Sequence, residues 1–265
     1  MQIIQNIIDK NHLTDNKIFG SCEMNNSQIV FNGHNNICFF GQGVKLQNSK
    51  LNFNGDNSIV YFAGECEVCI EVGLFNGCVF SMGKNCSMRN ALHIIISEWT
   101  NVCVGDDVMI SLEFWCRTAD PHLIYDSSSK KRINTSQSVY IGDHVWIGQE
   151  VMILKGTQIG SGSIIGAKSL VAGKKIKSNT IYAGNPAKLI REDVFYDRDC
   201  VHDWTVEKTE QNARNDDLSY IYTKDDSSII FDEIDYLLRY EKDVNCKLEM
   251  IKNMYESKSQ NRFAK

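Results

Sequence analysis

Proline occurs only twice in the 265 residues, and basic residues are outnumbered by acidic ones, 28 to 33. No apolar run approaches the roughly 18 residues that a membrane-crossing helix needs. Each shortage excludes something. With so few prolines, the two that occur become informative. Without a long apolar run, no segment reads as membrane-spanning. A net charge of −5 argues against nucleic acid as a partner, because phosphate binding depends on concentrated positive charge. A local basic patch would still suffice for an anionic substrate. Lys130-Lys131-Arg132 is one such run, read first as a solvated loop tip.

The N-terminal MQIIQNIIDKNHLTDNK lacks a basic lead and a long apolar core, so it reads as a short cap rather than a signal peptide. Its Ile3, Ile4, Ile7 and Ile8 lie at helical spacing. Cytoplasmic residence is the default expectation. Ten cysteines are scattered along the chain, and Cys66-Glu-Val-Cys69 is a lone pair without a second. Reduced thiols packing as small apolar groups are favoured over a disulfide framework or a zinc site.

What is abundant is order. Ile141, Ile147, Ile153, Ile159, Ile165 and Val171 recur every sixth residue; Gly142, Gly148, Gly160 and Gly166 follow them, and Val145, Val151, Thr157, Ser163 and Ser169 come three places later. A period of six is commensurate with strand alternation but far longer, so it describes a short extended segment plus a corner, wound into a triangular prism. The aliphatic side chains point inward, and neighbouring coils satisfy one another's backbone groups.

Upstream the beat is wider: Phe31-Asn-Gly, Phe53-Asn-Gly and Phe75-Asn-Gly recur at intervals of 22. The coils therefore begin near residue 21 and run to 191, with 1–20 as an N-terminal cap. Residues 117–138 break the pattern and must leave the prism as an excursion. Segment 192–265 loses the beat. Ile234, Leu237 and Leu238, then Val244, Leu248, Ile251 and Tyr255, show three-to-four spacing that predicts one or two amphipathic helices. The tail is expected to cap the coils or serve a subunit interface, with disorder possible only after about residue 257. The prolines fall at Pro186, where the coils end, and at Pro121, directly before His122 in the excursion.

Four elements in order resemble the hexapeptide-repeat acyltransferases, specifically bacterial sugar and surface-polysaccharide O-acetyltransferases. They are the loop Asp120-Pro-His122-Leu-Ile124-Tyr125-Asp126, then Arg132-Ile133-Asn134, then Ile141-Gly-Asp-His-Val-Trp-Ile-Gly148, and the closing Ala183-Gly-Asn-Pro-Ala-Lys188. The resemblance implies an all-β solenoid, a left-handed parallel β-helix with an extruded catalytic loop, followed by an α-helical extension. It implies transfer of an acetyl group from acetyl-CoA to a sugar hydroxyl of a capsular or other surface polysaccharide. His122 is then the general base, since neutral imidazole is the common proton acceptor near neutrality.

Asp120 is implied to orient that ring, or else is an ordinary turn residue, and His144 is the reserve base. Trp146 is implied to flank the pantetheine arm, Ala167 and Ala172 to contribute coenzyme contacts, and Lys188 and Arg191 to meet its phosphates. The chain departs from the common pattern at Ala172-Gly-Lys-Lys-Ile-Lys-Ser178, where relatives often carry Thr-Lys-Asp, and at Pro121, where a small residue is usual. The resemblance further implies a homotrimer with sites between prisms and no metal.

N-acetylation of a nucleotide-linked amino sugar is the alternative. A zinc carbonic anhydrase of this fold would need three histidines to meet, with His93, His122 and His144 the available set; a noncatalytic solenoid is a third reading. Anionic glycans such as sialic acid polymers are candidate acceptors, with Arg117, Lys130, Lys131 and Arg132 as contacts.

Overall fold

The structure is a computed structural model and describes residues 1–88, 92–257 and 259–265. Short strands alternate with corners to build a left-handed parallel β-helix of about seven coils. Among the described residues its three faces are sheets of eight, eight and nine strands. The hexad phase read from the sequence is the phase observed: Ile141, Ile147, Ile153, Ile159, Ile165 and Val171 are all buried in the prism, and the small residues Thr157, Ser163 and Ser169 are buried at its inner corners. Each such aliphatic side chain contributes roughly 1.5–3 kcal/mol on burial.

The prism narrows along its length. On the first face His93 pairs with Trp115, 22 residues on, whereas Met152 pairs with Leu170, 18 residues on. The later coils are thus three plain hexads. Phe31 and Phe53 stack inside, with centroids 4.7 Å apart. The intervening coil is one residue short, however, so Leu74 rather than Phe75 stands opposite Phe53. Phe75 is consequently turned out and exposed. Corner positions in the left-handed region are filled mostly by asparagine and other polar residues, such as Asn26, Asn48, Asn85, Asp107 and His144, types that tolerate that conformation better than branched ones. Gly162 takes the same position with φ +73°, and a β-carbon there would strike the Tyr222 ring.

The N-terminal cap differs from its reading. Gln2–Ile4 is a strand lying antiparallel on Ile29–Phe31, and Ile7–His12 forms a 3-10 turn rather than an α-helix. Isoleucines at 3, 4, 7 and 8 suit either arrangement locally, and the open sheet edge of the first coil decides. The second face already begins at Lys17, so the coils start a few residues before 21.

The C-terminal extension is a strap. Helix α1 (Val206–Gln211) is short, while α2 (Phe231–Tyr240) and α3 (Val244–Glu256) are the two amphipathic helices expected. Long irregular segments join them. α2 and α3 press Phe231, Leu238, Leu248, Ile251 and Tyr255 onto Ile59, Tyr61, Val79 and Tyr140, the outer side of the second face. The last residues are packed, not loose: Arg262, Phe263 and Ala264 are buried. Arg262 reaches both oxygens of Asp143 (2.9 and 2.7 Å) and one of Asp106 (2.6 Å). Burial pushes the Asp143 carboxyl up despite that guanidinium. The second face is therefore closed by the chain's own tail. All ten cysteines are free.

Candidate active site

The excursion leaves the first face after Trp115–Arg117 and rejoins the second face at Val139–Ile141, so it spans 118–138. Its neck is tied by Gln137 N–H donating to Thr118 O (3.0 Å). The Thr118 hydroxyl, fully buried, accepts from Ser97 N–H and from Thr100 Oγ1. Beyond the neck the chain folds back on itself as a small hairpin, with Ile133 N–H on Ile124 O (3.0 Å) and Asp126 capping the Ser128 and Ser129 amides at the tip.

Asn134 holds the hairpin together. Its Nδ2 donates to His122 O (2.7 Å) and to Asp120 Oδ2 (3.2 Å), while its Oδ1 accepts from Ile124 N–H (2.9 Å) and Arg132 Nε (3.3 Å). Arg132 in turn grips both oxygens of Glu98 (2.8 and 2.9 Å), and Ser136 Oγ donates to the same carboxylate. The Arg132 guanidinium, then Ser136, lowers the Glu98 carboxyl to about 2. Lys130 and Lys131 lie exposed at the tip. Of the three basic residues read as a free run, Arg132 is thus an internal clamp.

His122 is exposed on this rigid hairpin, its backbone fixed by Asn134 and its ring turned to solvent. Asp120 does not meet that ring. Its carboxylate bonds Lys155 Nζ at 2.6 Å, which is the main cause of its lowered pKa. In this chain it fastens the hairpin root to the next coil instead of orienting the imidazole. Nothing local in the sequence announces Lys155, which lies 35 residues away.

The reserve base is excluded by its surroundings. His144 is buried, sandwiched between the rings of Tyr196 (4.1 Å) and Tyr220 (4.4 Å). Its Nδ1 faces the Asp107 carboxylate (2.5 Å) and its Nε2 the Tyr196 carbonyl (3.0 Å). Neither nitrogen is open to a substrate. His93 stands elsewhere again, stacked on Trp115 on the first face, so the three histidines considered for zinc occupy a face, a loop and a buried corner.

Trp146 lies exposed on the third face, tilted against Tyr196. It lies within one ladder of that face: Trp146 pairs with Ile164, Ile164 with Ile181, and Ile181 with Arg191. Three steps of about 4.8 Å make this track roughly 14 Å long. Ala167 is exposed at the adjoining corner, packed so closely that a β-carbon on Gly148 would meet its nitrogen at 2.6 Å. Lys188, beside Ala183 on the last strand, and Arg191 are exposed at the far end. Ala172 falls on the first face, in register with Leu154 and Arg117, below the hairpin root. The structure therefore groups Trp146, Ala167, Lys188 and Arg191 along the third face and its corner with the first, and places Ala172 and His122 at a different edge. Within one chain the two groups do not meet.

Residues 138–173 match the family described as bacterial transferase hexapeptide (six repeats). A polysialic acid O-acetyltransferase of Escherichia coli O1:K1 / APEC is 38% identical over 104 residues, which is 39% of this chain and 34% of that protein. The chain thus spans about a third of that relative's length. Among solved structures, the polySia-specific acetyltransferase NeuO superposes with TM-score 0.65 and 29% identity over 75% of this chain and 96% of that one. The polysialic acid O-acetyltransferase OatWY gives 0.67 and 29% over 74% and 94%. With the prism, the interrupting hairpin and the six-residue repeats all in place, the chain has the left-handed β-helix fold of the hexapeptide-repeat acetyltransferases to which it is similar.

Proposed function

We propose that the protein transfers an acetyl group from acetyl-CoA to a sugar hydroxyl of a bacterial surface polysaccharide, with polysialic acid as the leading acceptor, in the cytoplasm before export. The observation that carries this reading is the alignment over 94–96% of the length of two solved polysialic acid O-acetyltransferases.

His122 acts as general base. The acetyl group arrives as a thioester. The imidazole takes the acceptor hydroxyl's proton as that oxygen attacks the acetyl carbon, keeps it while the carbon–sulfur bond breaks, and returns it to the departing sulfur. Asn134, Asp120 and Lys155 position the loop. Trp146 shields the thioester from water, Ala167 and Ala172 let the pantetheine approach the backbone, and Lys188 with Arg191 meets the phosphates as charge-assisted partners. The donor set suits such a ligand: an exposed ring at one end of an apolar track and two cations at the other, neither paired with a carboxylate among the described residues.

Because His122 and Trp146 stand on different edges, a second copy of the chain completes each site, in a homotrimer. The hairpin supports this. Leu123, Ile124, Tyr125 and Ile133 are each 49–63% exposed, an apolar cluster that another subunit would cover. No helix among the described residues is long and apolar enough to cross a membrane.

The test is mass spectrometry of polysialic acid incubated with acetyl-CoA and the protein. Acetylated chains are expected, and His122→Ala should cut turnover by at least about 10²-fold, as loss of a general base does, while coenzyme binding persists. Near-normal turnover in that variant would remove His122 from the chemistry.

A further inference from the structure

The first face carries a depression of about 280 Å³ that the acetyl-transfer site leaves unused. Its floor is Gly73, in the middle of the strand Ile70–Leu74. Glycine weakens a strand interior and brings no side chain to pack. Nothing inside the chain requires it here, since a β-carbon on Gly73 would meet only the Asn54 amide nitrogen, at an ordinary 3.6 Å. A strand glycine without an internal reason marks a place where something from outside comes close.

The walls indicate what comes. One side is aromatic, Trp115 with the His93 ring stacked on it at 4.5 Å. The other presents the amides of Asn52 and Asn54 and the carboxylate of Glu71, which reaches His93 Nδ1 at 3.3 Å. A flat ring for a C–H face, beside amide and carboxylate groups for hydroxyls, is the chemistry that recognises a sugar. The volume lies below the roughly 300–1,000 Å³ of pockets for drug-sized ligands. It suits one sugar ring and is too small for a coenzyme or a helix.

The depression is also continuous with the His122 loop. Gly73, Ile95 and Arg117 are successive partners in one ladder, and the chain enters the loop directly after Arg117. Two coil steps, roughly 10 Å, separate floor from loop root. The Arg117 guanidinium lies over the Trp115 ring at 5.3 Å, with no carboxylate partner among the described residues.

We propose that this depression holds one unit of the acceptor chain, upstream of the unit being acetylated, with Arg117 taking the carboxylate of an acidic sugar between them. The inference rests on the polysaccharide O-acetyltransferase reading and predicts that long chains are better acceptors than short ones.

The experiment compares long polysialic acid with its disaccharide as acceptors, for the unmodified protein, Trp115→Ala and Gly73→Val. Gly73→Val fills the floor, with room for its β-carbon, and guards against a folding defect in the tryptophan variant. Both should lower the long-to-short ratio of kcat/KM by about tenfold, the loss expected for one stacked ring and its neighbours. Titration calorimetry with polysialic acid should show the same weakening without turnover. An unchanged ratio and unchanged binding in both variants would overturn the proposal. So would dissociation of the oligomer by either variant in light scattering, which would make this face a contact between copies. If the unmodified protein bound polysialic acid, lost that binding in both variants and yet acetylated no sialic acid, the depression would stand and the acetyl-transfer reading would fall.

Discussion

Asn134→Ala should disable the enzyme without unfolding it. The side chain makes four hydrogen bonds; three of them join the Asp120–Ile124 arm of the hairpin to the returning arm. At about 1 kcal/mol net for each, the substitution removes roughly 3 kcal/mol from the closed hairpin, a factor on the order of 10² in its closed-to-open ratio. The Asp120–Lys155 pair and the backbone bonds near the tip remain, so the hairpin opens locally while the prism is untouched. Turnover should fall between about tenfold and a hundredfold, and the urea midpoint should move by less than about 1 kcal/mol equivalent. Asn134→Asp should be similarly harmed, because it keeps the acceptor for Ile124 but loses both donated bonds and faces Asp120. Steady-state kinetics beside urea denaturation decides. A fully active Asn134→Ala protein, or one that unfolds cooperatively at much lower urea, would show that Asn134 does not hold the hairpin closed for catalysis.

Other substitutions probe the frame. Ile147→Asp places an unpaired charge where the side chain is fully buried between Ile110 and Ile165, and circular dichroism should show loss of the fold. Arg262→Met leaves Asp143 buried without its partner and should cost about 3–5 kcal/mol in urea unfolding; adding Asp143→Asn should recover much of that. The hairpin should loosen in acid. Glu98 titrates near 2 when folded against an ordinary 4.5, a depressed value, so its stabilisation is present above about 4.5 and is lost as pH falls toward 2. Protection of the Ile124 and Ile133 amides from hydrogen exchange, taken relative to the intrinsic rate at each pH, should fall across that window; pH-independent protection would contradict the clamp.

How much was legible follows from range. The hexads from Ile141 onward fixed face, phase and coil because every position repeats locally, and the break between Cys116 and Tyr140 located the hairpin. The 22-residue spacing upstream was real, but one coil of 21 displaced Phe75, a slip that spacing alone cannot reveal. The motif around Arg132 and Asn134 was visible as a string, whereas its clamping of Glu98 and of His122 O required the fold. His144 was misjudged for the same reason. The rings that bury it, Tyr196 and Tyr220, come from the extension, dozens of residues downstream. Lys155, Arg262 and the packed C-terminus are likewise long-range partners that carry no local pattern.

The proposed acetyl transfer needs a site shared between copies, with His122 given by one chain and the Trp146–Arg191 track by its neighbour. Mixing tests this directly. His122→Ala and Trp146→Ala proteins, each impaired alone, would be co-assembled in equal amounts and assayed for acetyl transfer to polysialic acid. Random assembly in a closed ring leaves about a quarter of the sites with both native residues, so activity should recover to about a quarter of the unmodified level. A mixture no more active than its two components would place both residues in one chain's site and contradict the account.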